Sequence, residues 1–162
     1  MSITMVVEIP KGSRNKYEVD HESGEIFLDR MLFTATRYPA DYGYVPDTLA
    51  EDDDPLDALA LVTDPTFPGC RIRIRLVGVF LMEDQGRPDH KLLGVPVNDP
   101  LWVNTHELSD VPAHTLRELE HFFAVYKDLE EKKTSVLGWR SRTEALATWE
   151  RARAAWQDSE PV

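Results

Sequence analysis

Residues 51–57 hold five carboxylates, Glu51, Asp52, Asp53, Asp54 and Asp57, interrupted only by Pro55 and Leu56. No other stretch constrains the fold as much. Pro55 fixes its own φ and keeps Asp54 out of the helical region, so the run must be loop or extended chain. In extended chain Asp52 and Asp54 point the same way, and Asp57 follows one short bend later, free to converge on the same point. Negative charge this dense repels itself and raises carboxylate pKa values, so a fold that keeps it usually neutralises it with cations. Donors that are all oxygen favour Mg²⁺, Ca²⁺ or Mn²⁺ over zinc. An EF-hand does not fit: counting from Asp52, Asp57 stands where the loop requires glycine and Thr63 where it requires glutamate. Taken alone, such a run also reads as a solvated acidic loop.

A length of 162 residues suits one domain over 1–162, with a frayed tail after Gln157. The chain is 42% hydrophobic and 29% charged, the balance of a soluble globular protein. A net charge of −11 disfavours nucleic acid as a partner, although small anions chelated to a divalent cation are compatible with it. Cys70 is the only cysteine, which excludes an intrachain disulfide framework and a thiolate zinc site and fits a cytoplasmic protein. Met1 to Pro10 lacks the pattern of a signal peptide, and the apolar stretch Leu76 to Met82 is too short to cross a bilayer.

The first two-thirds reads as short strands and turns. Lys16, Glu18 and Asp20 alternate with Tyr17 and Val19, and a turn at 21–24 leads into a second strand over 25–29. Arg71, Arg73 and Arg75 alternate with Ile72 and Ile74 ahead of an apolar run to Met82; a polar loop over 84–90 precedes another strand over 91–97. This pattern predicts a small closed or partly closed barrel. The last third reads as helical. Pro112 suits a first helical turn, with Leu116, Leu119, Phe122, Phe123 and Tyr126 on one face, and Ser141 with Glu144 forms a capping box for a second helix. The resulting class is α+β, mainly β.

Other polar groups accompany the acidic run. Lys16 and Glu18 share one strand face, as a surface pair or as part of a polar site; Asp84, Asp89 and Lys91 cluster about a turn; Tyr126-Lys127 ends the first helix. His114 and His121 lie seven apart and lack the i, i+4 spacing of helical metal ligands. No phosphate loop, dinucleotide fingerprint or Gly-x-Ser-x-Gly elbow is present.

In order along the chain, Glu8-Ile9-Pro10, Lys16-Tyr17-Glu18, Asp29-Arg30, Asp41-Tyr42-Gly43-Tyr44, Asp52-Asp53-Asp54-Pro55-Leu56-Asp57, Phe67-Pro68-Gly69 and His121-Phe122-Phe123 with Tyr126-Lys127-Asp128-Leu129-Glu130 resemble the blocks of the family I soluble inorganic pyrophosphatases of bacterial type, whose signature is D-x-D-P-x-D. The resemblance implies a five-stranded OB-like barrel with flanking helices. It further implies hydrolysis of inorganic diphosphate to two phosphates by a metal-activated water, several Mg²⁺ per site with Mn²⁺ as a substitute, and a homohexamer. The implied metal ligands are Asp52, Asp57, Asp84 and Asp89, with Glu18 and Glu8 near further metal positions. Asp54 matches the general base, a label also given to Asp89, while Lys16, Arg30, Tyr42, Lys91, Tyr126 and Lys127 match groups that hold the phosphates.

Three departures accompany the resemblance. Gln85 stands where a glutamate is common, Asp53 replaces a common glycine, and residues 131–139 look one residue shorter than usual. The altered segment leaves open a catalytically weak relative that binds metal and phosphate or acts as an assembly partner. Hydrolysis of other diphosphate or polyphosphate compounds is a second enzymatic alternative.

Overall fold

Strand β1 (Ile3–Ile9) pairs on one side with β4 (Asp41–Tyr44) and on the other with β6 (Arg71–Asp84), both antiparallel. From β4 the ring continues through β5 (Asp57–Ala60) and β8 (Lys91–Pro96) and returns to β6, which closes a five-stranded barrel. The computed structural model describes residues 1–160. The expected OB-like barrel of the mainly β, α+β class is therefore present, and closure leaves its five strands without a free edge.

Close approach at one strand crossing depends on glycine. A Cβ on Gly43 would lie 1.9 Å from the Val6 carbonyl oxygen, so β4 reaches β1 only because that position has no side chain. Along β6, bulges between Leu76 and Gly78 and between Leu81 and Met82 bend the strand, allowing 14 residues to serve several partners. Gln85 and Gly86, both at positive φ, then turn the chain into the two-residue strand β7 (Arg87–Pro88), where the sequence predicted only a polar loop. Outside the barrel, β2 (Asn15–Val19) and β3 (Ile26–Met31) form the expected hairpin as a separate ribbon.

The two faces of the barrel strands hold two apolar clusters, as the period of two requires. On β8, Leu93 joins the cluster of Phe80, Met82 and Tyr38 beneath helix α1 (Ala113–Val125), which contributes Leu119, Phe122 and Phe123. Leu92, one residue away, joins Val79, Ala58 and Ile74 under helix α2 (Arg142–Ser159), which contributes Ala145 and Ala152. Pro112 caps α1 and does not occupy its first turn. Ser141 caps α2, its hydroxyl accepting the Glu144 N–H.

The last third is not wholly helical as expected. Thr134–Arg140 forms strand β9 along the outer half of β6, with Gly138 at positive φ beside a bulge. Its burial pattern marks a strand on the barrel surface, and Trp139 packs tilted against Phe80 at 4.8 Å between ring centres. Helix α2 continues to Ser159, past the expected start of fraying; the end of that expected tail, 161–162, lies outside the described residues. Among the described residues no helix is long and apolar enough to cross a membrane.

Candidate active site

One cavity of about 510 Å³ opens between the barrel and the β2–β3 ribbon. Every site residue expected from the sequence lines it except Lys91. Glu8 comes from β1, Lys16 and Glu18 from β2, Arg30 from β3, Tyr42 from β4, and Asp57 from the first position of β5. Asp52 and Asp54 come from the loop before β5, Asp84 from the end of β6, Asp89 from the segment before β8, and Tyr126 and Lys127 from the chain just after α1.

Asp52, Asp57 and Asp89 each offer a carboxylate oxygen within 4.8 Å of the others. Parallel pairing sets Asp57 opposite Lys91 on adjacent strands, so the ladder itself brings Asp57 to the end of β8. Lys91 lies under the cluster, 1% exposed, with Nζ 3.0 Å from Asp57 Oδ2, 3.2 Å from Asp89 Oδ2 and 2.9 Å from the Tyr42 hydroxyl. Its ammonium also faces the Tyr42 and Phe123 rings at 5.0 and 5.2 Å. Lys91 therefore stabilises the carboxylates from below.

The pair above it shares charge unequally. Burial raises Asp57 to about 8; Asp89 pushes in the same direction and Lys91 against it. Burial also acts on Asp89, but Lys91, the hydrogen bond with Asp57 and the charge of Lys127 outweigh it and leave that carboxyl below its usual range. One proton is thus retained at the pair in the metal-free protein. Burial likewise raises Asp52 and Glu8, the latter despite accepting the Val19 N–H at 3.0 Å. Burial lifts both Tyr42 and Tyr126, so their hydroxyls remain neutral donors.

Asp84 faces the cavity outside the trio. Its Oδ2 accepts from Lys127 Nζ at 2.5 Å, while its buried Oδ1 has no partner. Asp54 is exposed at the rim, its N–H donating to Asp52 Oδ1 at 3.2 Å. Across the cavity, Lys16 Nζ lies 2.6 Å from Glu18 Oε1, and Asp29 stands between Lys16 and Arg30.

Sequence reasoning left several wall residues out of the site. Asp29 was visible only as the neighbour of Arg30, and His21 and Lys132 carried no signal beyond being polar; Glu130, behind Arg30 and outside the lining, had no role in the sequence reading. Glu130 Oε1 lies 2.8 Å from Arg30 Nε, with a side chain only 4% exposed. Asp41, in another quoted block, faces elsewhere and accepts the N–H groups of Lys11 and Thr66.

The donor set fits a hard divalent cation. Three converging carboxylates, one raised by burial despite the Lys91 ammonium beside it, and an orphaned buried carboxylate oxygen on Asp84 are what such ions satisfy. Basic groups on the opposite wall suit an anion bridging to that ion.

The inorganic pyrophosphatase family model matches residues 5–157. The inorganic pyrophosphatase of Streptomyces coelicolor is 54% identical over 160 residues, covering 98% of both chains, and that of Methanosarcina acetivorans is 49% identical over 153 residues, covering 94% of this chain and 91% of the relative. Among solved structures, the Helicobacter pylori enzyme superposes with a TM-score of 0.94 at 43% identity, covering 96% of this chain and 94% of its own, and the Thermus thermophilus enzyme with 0.93 at 44%, covering 96% and 91%. A family model that spans nearly the whole chain, full-length relatives at about half identity and solved structures of the same fold leave one conclusion: this chain belongs to the inorganic pyrophosphatase family.

Proposed function

We propose that this chain hydrolyses inorganic diphosphate to two phosphates with Mg²⁺, Mn²⁺ serving as a substitute, and that it does so as a single domain in a cytoplasmic homohexamer. The observation that carries the reading is one cavity holding three convergent carboxylates on one wall and Lys16, Arg30 and Lys127 on the others.

Asp52, Asp57 and Asp89 would hold the first metal, with Asp84 beside a further ion and Glu8 and Glu18 near outer positions. When bound, Mg²⁺ neutralises the substrate and makes water more acidic. Asp54, exposed and adjacent to Asp52, takes the proton of the attacking water. Asp89 suits that role less, because Lys91 holds it in its charged form and lowers its basicity. Lys16, Arg30 and Lys127 stabilise charge on the departing phosphate, Arg30 offering a two-pronged donor oriented by Asp29 and Glu130. The Tyr42 and Tyr126 hydroxyls donate without adding charge. The hydroxyl of Tyr42 accepts from Lys91, which frees its own proton for the substrate.

Exposed Phe27, Leu28, Phe33 and Phe67 form apolar surface on and near β3, which supports self-association. Phosphate release from diphosphate, with Mg²⁺ titrated from zero and excess chelator as control, tests the catalytic reading. Metal-dependent release is expected; no release by folded protein across full Mg²⁺ and Mn²⁺ ranges would overturn it in favour of a binding role.

A further inference from the structure

Two of the three converging carboxylates are held by the sheet, and the third is not. Asp57 opens β5, and Asp89 stands two residues before the Lys91 that pairs with it. Asp52 lies instead on a turn whose neighbours Glu51, Asp53 and Asp54 are all exposed. The turn closes on itself through the Asp53 N–H to the Ala50 carbonyl and the Ala50 N–H to the Asp54 carbonyl. At its apex Asp53 adopts φ +68, a conformation that favours glycine. Nothing in that local arrangement fixes the distance from Asp52 to the other two carboxylates.

Arg87 spans the gap. The tight turn at Gln85 and Gly86 carries β7 toward the acidic loop, and Arg87 Nη2 donates to the Glu51 carbonyl at 2.9 Å and to Asp53 Oδ2 at 3.4 Å. Among the described residues, no side chain from another element hydrogen-bonds the 50–54 turn except that of Arg87. It stands two residues before Asp89, so one guanidinium links the loop that bears Asp52 to the segment that bears Asp89.

We propose that Arg87 is a positioning residue that straps the Asp52 turn to the hairpin bearing Asp84 and Asp89, and so sets the spacing that a divalent cation needs. The inference deepens the metal-dependent reading of this cavity and rests on it. Charge alone makes the opposite prediction. Arg87 is a cation beside a cation site, so removing it should tighten metal binding if its field were what mattered. As a strap, its removal should loosen binding.

The test is direct Mn²⁺ binding by calorimetry to the full parent chain, Arg87→Ala and Arg87→Lys, alongside the Mg²⁺ dependence of phosphate release. Arg87→Ala should weaken Mn²⁺ binding about tenfold, as loss of outer support for metal ligands does, and raise the Mg²⁺ needed for half-maximal activity by a similar factor. The rate at saturating Mg²⁺ should be unchanged. Arg87→Lys keeps the charge but loses the planar fork, and should weaken binding in the same direction. Unchanged or tighter Mn²⁺ binding by a folded Arg87→Ala chain overturns the strap. A parent chain that binds Mn²⁺ yet releases no phosphate would defeat the catalytic reading alone, and the affinities would still decide the role of Arg87.

Discussion

Lys91 and Asp57 face each other across the parallel β5–β8 pair, with Nζ 3.0 Å from Oδ2, and this buried contact supports the floor of the cavity. It places a permanent positive charge where a carboxylate would otherwise meet only Asp89 and apolar core. Lys91→Met removes that charge and leaves two half-buried carboxyls opposed. The metal-free variant should lose about 3–5 kcal/mol, since breaking a buried pair strands its partner. Chemical denaturation with chelator present, and again with Mg²⁺, checks this: Mg²⁺ should restore part of the loss, and full stability without metal would refute the role given to Lys91.

Asp57→Asn should fold and lose nearly all turnover, because the central member of the trio no longer offers a charged oxygen. A fall in phosphate release of about three orders of magnitude is in keeping with loss of a metal-activated nucleophile. Arg73→Ala, exposed on β6 away from the cavity, is the matched control and should retain parental activity. Equal rates for Asp57→Asn and the parent would sink the assignment.

The raised pKa of Asp57 carries a pH signature. At pH 7 the metal-free carboxyl still holds its proton, since burial moves its midpoint to about 8. Metal must displace that proton, so affinity should climb with pH and flatten above about 8. Calorimetry at pH 7 in two buffers of different ionisation enthalpy should register proton release on metal binding. For the metal-free chain the sign is reversed. A folded-state pKa raised above the unfolded value of 3.8 gives a contribution that is full below 3.8 and is lost as pH rises toward 8. Asp89, lowered instead, contributes above 3.8 and loses that contribution only in acid. Melting with chelator from pH 5 to 8 should therefore trend downward, and Asp57→Asn should reduce that slope, the remainder coming from the raised carboxyls of Asp52 and Glu8.

Gly43→Ala tests the barrel directly. The added Cβ would meet the Val6 carbonyl at 1.9 Å, so β1 and β4 must separate. A loss of about 3 kcal/mol or more is expected from forced overpacking against backbone, read by urea denaturation. Because Tyr42 is the neighbouring residue, activity should fall as well.

Glu130→Gln tests the support of the phosphate clamp. The Glu130 carboxylate and Arg30 Nε lie 2.8 Å apart in a nearly dry setting, so neutralising Glu130 frees the guanidinium to reorient. The Michaelis constant for diphosphate should rise several-fold in an otherwise parental background, and the same change should have little effect once Arg30 is replaced by Ala. Additive losses would mean that Glu130 acts independently of Arg30.

Much of this protein is determined locally, and those parts were legible in the chain. Alternation along 71–82, the turn at 21–24 and the apolar stripe of α1 each follow from contacts within a few residues, and each predicted element appears. The acidic run had to avoid helix because of Pro55, and it does. Other features exist only because distant segments meet. Thr134–Arg140 has apolar Val136, Leu137 and Trp139 without regular alternation, and it is a strand because β6 supplies its hydrogen bonds. Lys91 reads as one more lysine near a turn until parallel pairing places it opposite Asp57 and buries it. Asp84 lines the same cavity, but its contact with Lys127, a partner 43 residues away, exists only in the folded chain. The chain by itself determined which carboxylates and cations were available, because composition and short-range geometry are properties of the covalent sequence. Only the closed barrel decided which of them converge, because β pairing joins residues far apart in sequence and low-dielectric burial sets their charge.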